Sequence, residues 1–174
     1  MDPYQPELWH DFFLATAGAA AALTGLLFVA ISLHLRYVAT DPQYRGMARG
    51  SLIGLVMSLV LSLAALIHQP SGWLGVELVA IGVAYTPFGG AIQMLQRRRR
   101  DVPIPLSTVL RAAGGYLLAL VGVLGGLSVG FRAGPGLFVI ALILVAIVLW
   151  NLWNAWVLLM GVADEEIAAE TISP

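Results

Sequence analysis

Long apolar runs separated by short polar segments set the pattern of this chain. The first covers about residues 12–35, bounded by Asp11 and Arg36. The others cover about residues 50–67, 73–95, 106–129 and 137–162. Each is about 18–26 residues long, and about 20 apolar residues in a helix cross a hydrocarbon core roughly 30 Å thick. The pattern therefore predicts an all-α fold: one transmembrane domain over residues 1–174, a bundle of five membrane helices.

The breaks between runs are legible in turn chemistry. Asp41-Pro42 is an N-cap followed by Pro at the first helical position, so the second helix is expected from Pro42 and enters lipid near Gly50. His68-Gln69-Pro70-Ser71-Gly72 and Gly130-Phe131-Arg132-Ala133-Gly134-Pro135-Gly136 read as tight turns. Pro87, inside the third run, removes a backbone donor and predicts a kink.

Composition agrees with a lipid setting. The 174 residues are 59% hydrophobic and 11% charged, against about 45–50% and 25% in soluble domains. The net charge of -1 hides a segregation: all nine basic residues are Arg. Arg36, Arg45 and Arg49 fall in the first connection, and Arg97, Arg98, Arg99 and Arg100 in the third. The excess of basic residues marks the cytoplasmic side. This places the N-terminus outside and the acidic tail (Asp164, Glu165, Glu166, Glu170) in the cytoplasm. Were the first run to lie flat on the surface, four spans would remain and the N-terminus would be cytoplasmic. The first ten residues carry no basic residue, so the first run is expected to be a retained helix, not a signal peptide. There is no Cys, which excludes disulfides and thiol chemistry.

Small residues spaced four apart let helix backbones approach in lipid, where hydrophobic exclusion between helices is absent. Such stripes are Ala17, Ala21 and Gly25; Gly50, Gly54, Ser58 and Ser62; Gly82, Thr86 and Gly90; and Gly122, Gly126 and Gly130. Packing within the bundle or between copies is expected of them. The fifth run, bulky and β-branched, is expected to be the most lipid-exposed helix.

Chemistry-bearing residues are few. Asp11, Glu77 and Arg132 fall at one end of the bundle, either as an ion-binding cluster or as a Glu77–Arg132 salt bridge beside a hydrated Asp11. His10 and His68 share that end. A haem or metal would need facing His at matched depth, and half-hydrated interfacial His is the simpler reading. Trp150, Trp153 and Trp156 predict an interfacial belt, with Asn151 and Asn154 turned inward to polar contacts. Arg97 to Arg100 are expected to meet anionic lipid head groups, not nucleic acid. No catalytic motif and no cofactor site is present in the sequence.

Trp9-His10-Asp11-Phe12-Phe13, followed by the run Ala20 to Ser32, resembles the opening of a group of small bacterial membrane proteins of no assigned activity. Some of them are labelled modulators of the membrane-anchored ATP-dependent protease. The resemblance implies a bacterial plasma (inner) membrane protein of accessory or regulatory type. The expected function is a non-enzymatic subunit that contacts itself or partner membrane proteins. A small homo-oligomeric channel is the alternative. It would need polar residues in line through the bilayer, such as Thr16, Thr24, Ser32, Ser58, Ser62 and Thr86.

Overall fold

The computed structural model describes residues 4–40, 42–85 and 106–172, and every element in them is helical. A single 3-10 turn, Pro6–Trp9, leads into α1 (His10–Leu33). After a break at His34 come α2 (Leu35–Thr40) and α3 (Pro42–Leu66), which starts at the proline. Then follow α4 (Ser71–Tyr85), α5 (Leu106–Phe131) and α6 (Leu137–Ile172). Four helices are long and apolar enough to cross a membrane, and the described part of α4 is a shorter apolar helix. The chain is thus an all-α membrane protein. Asp41, Thr86, Pro87, Gly90 and Arg97 to Arg100 lie outside the described residues.

The helices form two close pairs, α1 with α3 and α4 with α5, and α6 packs on α3, α5 and α1. Residue matching fixes their directions. Gly75 of α4 meets Gly130 and Gly126 of α5, while Gly82 meets Val123, so α4 and α5 are antiparallel. At the same end Trp9 packs edge-on against Phe138, with ring centroids 4.7 Å apart. The start of α1, the 67–70 turn and the 132–136 turn therefore share one end of the bundle, called here the Trp9 end.

Two apolar clusters hold the bundle. At the Trp9 end, Trp9, Phe13, Ala65, Leu74, Leu78, Val129, Leu137, Ile140 and Leu144 pack together. At the far end Leu27, Val38, Ala48 and Leu55 do so, with Ala155 against them. Trp9 and Phe13 are buried anchors of the first cluster, a role the apolar pattern alone did not assign to them.

The expectation for the last helix is overturned. Of the four spanning segments, α6 is the most buried, at 44% of its apolar window, and α1 the least, at 17%. Ile140, Ile143, Leu144, Ile147 and Asn151 of α6 face inward. Bulky Ile and Leu are what a central helix needs to fill the spaces its smaller-faced neighbours leave. High hydropathy does not by itself separate a lipid face from a core face.

The turn after α5 is a Schellman motif. The Ala133 N–H donates to the Ser128 carbonyl (3.0 Å) and the Arg132 N–H to the Val129 carbonyl (3.3 Å). The Ser128 hydroxyl donates to the Ala133 carbonyl and accepts from the Gly136 N–H (2.8 Å). The left-handed position is held by Arg132, at φ 52°. Glycine usually takes this place because a Cβ there is strained.

Candidate functional site

The small-residue stripes divide into faces that meet a helix and faces that do not. On α3, Gly54, Ser58 and Ser62 are buried, whereas Gly50 is exposed, and a Cβ built on it meets nothing within 4 Å. The stripe thus turns inward only from Gly54. A Cβ at Gly54 would lie 2.5 Å from Asn151 Nδ2, so Asn151 of α6 fills the space that glycine leaves. On α5, Gly126 packs against Val79 and Leu78, but Gly122 has no atom within 4 Å of its Cβ position. Gly75, absent from the predicted stripes, makes the tightest crossing. Its Cβ would sit 2.5 Å from Gly130 Cα and 2.6 Å from Gly130 N. The signal available was its seven-residue separation from Gly82 on one face of α4.

On α1 the inward face is Phe13, Ala17, Ala20 and Leu27. Ala21 and Gly25, expected in helix packing, point outward instead, together with Gly18 and Ala22. Nothing lies within 4 Å of a Cβ placed on Gly18 or Gly25. The spacing of Gly18, Ala21, Ala22 and Gly25 makes one coherent helical face. Exposed Leu14 flanks it at one end, and exposed Phe28 and Val29 at the other. The result is a shallow, small-residue saddle on the outside of the bundle.

The polar candidates find local partners. Asn151 is buried, and its Nδ2 donates to the Ile147 carbonyl one turn back (2.7 Å), within its own helix. Asn154 is half-buried, and Trp150, Trp153 and Trp156 are exposed. Thr16, Thr24 and Ser32 of α1 likewise donate to carbonyls four residues back. Ser58 and Ser62 differ: both are fully buried, and neither hydroxyl has a hydrogen-bond partner among the described residues. They sit on α3 between the two apolar clusters, next along the face from Gly54.

Glu77 and Arg132 take neutral partners in place of the expected ion pair. Gln69 Nε2 donates to Glu77 Oε2 (2.7 Å), and Arg132 Nε donates to Ser71 Oγ (2.9 Å). Asp11 is exposed. His10 and His68 line one narrow cleft with Glu7. Among the described residues no group of three His, Cys, Asp or Glu is placed to hold a metal ion.

One further feature lies where α4 crosses α5. The glycine contact there leaves an outward groove of about 240 Å³. Gly72, Gly75, Gly126 and Gly130 form its base, and Val76, Val79, Leu127 and Phe131 its walls. Two of its lining residues, Gly72 and Phe131, are followed in the chain by the exposed Trp73 and Arg132.

Comparison with protein-family models, with curated proteins and with solved structures gave no match to this chain.

Proposed function

We propose that the protein is a non-enzymatic accessory or regulatory subunit of a bacterial plasma membrane, working through helix–helix contacts with a second copy or with partner membrane proteins. The observation that carries this reading is the outward saddle of α1. Glycine costs a helix about 0.8–1 kcal/mol relative to alanine. Inside the bundle Gly54 and Gly75 offset that cost with close contacts; Gly18 and Gly25 meet none among the described residues. A helix from another chain, seated on the saddle, supplies the missing contacts. The resemblance of the first forty residues to small bacterial membrane proteins, some of them labelled protease modulators, suggests the same kind of role.

The described acidic and basic side chains lie within about two turns of a helix end, which supports a role without proton-transfer chemistry at mid-membrane. The N-terminus is assigned to the outside and the C-terminus to the cytoplasm, on the Arg distribution. Reporter fusions at Ser71 and after Pro174 test that assignment, and a cytoplasmic signal at Ser71 reverses it.

The test of function is Gly25→Leu, which fills the saddle without touching the interior. We expect loss of co-purifying partner or of oligomeric size in mild detergent, with thermal stability retained. A small homo-oligomeric channel is the second reading, favoured by the unpaired hydroxyls of Ser58 and Ser62. Ion flux in reconstituted vesicles, abolished by substitution at these two serines, would put that reading first.

A further inference from the structure

We propose that the groove between α4 and α5 is a phospholipid site: one acyl chain lies on the four glycines, and the lipid phosphate rests at Arg132. The inference does not depend on the saddle of α1, which is on another helix.

The groove is apolar, and every residue lining it belongs to α4 or α5. Gly72, Gly75, Gly126 and Gly130 line it; the Cβ positions of Gly75, Gly126 and Gly130 point into the contact between the two helices, which brings the backbones together at the foot of the groove. A Cβ placed on Gly72 meets nothing within 4 Å, so the groove is open space at that point. Phe131 lines it and is exposed, and exposed Trp73 follows the lining residue Gly72 in the chain. Aromatic side chains gather at the head-group level, which sets the depth of this mouth in the membrane.

The charge at the mouth matches a phosphate. Arg132 follows directly on the lining residue Phe131, and its Nε donates to Ser71, the neighbour of the lining residue Gly72, which keeps the guanidinium next to the groove. Among the described residues no carboxylate pairs with it; the nearby acid, Glu77, is engaged by Gln69. A planar guanidinium is suited to bidentate phosphate contacts. The first turn of α4 adds a field of the same sign.

The backbone of Arg132 adds an independent point. It occupies the left-handed position of the Schellman turn, where glycine or asparagine would be unstrained. The Ser128 and Val129 bonds of the turn hold this conformation, and such strained positions cluster at functional sites. The use proposed is to hold a cation at the end of an apolar groove. The occupant is thus a glycerophospholipid and not a free anion, because the apolar length of the groove exceeds what a phosphate alone would need.

The test uses the full chain purified in mild detergent after incubation with vesicles of equal parts phosphatidylglycerol and phosphatidylcholine, read by native mass spectrometry. We expect one phospholipid retained per chain. Gly72→Leu places a side chain where a Cβ meets no atom within 4 Å among the described residues, and should abolish retention while leaving thermal unfolding unchanged. Arg132→Gln should lower retention about fivefold, the effect of one arginine near a membrane surface; Arg132→Lys should restore part of it. Diacylglycerol, which lacks the phosphate, should compete poorly. Retention unaltered in Gly72→Leu overturns the site, as does equal binding of diacylglycerol. If Gly72→Leu instead splits an oligomer with no change in lipid, the groove seats a second copy and the lipid assignment is wrong.

Discussion

Asn151 of α6 stands in the space that a side chain would need at Gly54 of α3: an ideal Cβ on Gly54 falls 2.5 Å from Asn151 Nδ2 and 3.0 Å from its Oδ1. The amide is buried and anchored to the Ile147 carbonyl, so it yields only by giving up that bond. Gly54→Ala should therefore destabilise the bundle by about 1–3 kcal/mol, the usual range for overpacking. Asn151→Ala should remove most of that penalty, giving a coupling of at least about 0.5 kcal/mol in a double-mutant cycle. Thermal unfolding in detergent is the measurement, and strict additivity would mean that the two residues do not meet.

Gly75 presents a harder constraint, because its neighbours are backbone. A Cβ there would sit 2.5 Å from Gly130 Cα and 2.8 Å from the Gly126 carbonyl oxygen. No rotamer change relieves that. Gly75→Ala should cost at least as much as Gly54→Ala, about 2–3 kcal/mol. At Gly82 the nearest atom is a Val123 methyl at 2.9 Å, which has more room to adjust, so Gly82→Ala should cost less. The order Gly75, Gly54, Gly82 in melting temperature loss checks the α4/α5 crossing and the α3/α6 contact.

The hydroxyls of Ser58 and Ser62 are buried without partners. Burying a polar group without a hydrogen bond is unfavourable, and replacing it by an apolar group of similar shape is neutral or stabilising. Ser58→Ala and Ser62→Ala should leave thermal stability equal to that of the native chain or raise it by up to about 1 kcal/mol. A marked loss in either variant would show that its hydroxyl has a partner, such as a buried water or a permeating ion, and would favour the channel reading.

Several of these positions were readable in the sequence, and the reasons others were not are physical. Run lengths and turn residues located the helices, because lipid thickness and backbone hydrogen bonding leave little freedom. Pro42 at the start of α3 and the glycine-rich turn after α5 follow from the same rules. Small-residue spacing identified Gly54, Ser58, Ser62 and Gly126 as faces able to approach a helix, and each is at such a contact or buried. At Gly25, Gly50 and Gly122 the same spacing meets nothing among the described residues, and Ala21 is exposed, because spacing says that a backbone can come close and not what comes close to it. Burial of α6 was hidden for a related reason: in a membrane chain, core and lipid faces are both apolar. Glu77 and Arg132 drew neutral partners because Gln69 and Ser71, at the start of the adjoining helix and its turn, lie within reach of them.

The central claim is that the outward saddle of α1 meets another membrane helix. The chain has no cysteine, so a single introduced thiol reports on one position alone. Gly25→Cys places it on the saddle and Ala20→Cys in the buried face of α1. In native membranes, a bifunctional or photoactivatable thiol reagent at residue 25 should give a discrete cross-linked product, either a dimer or an adduct with one partner of defined mass, while residue 20 gives none. Labelling of residue 25 by lipid alone, with no protein cross-link, would contradict the account.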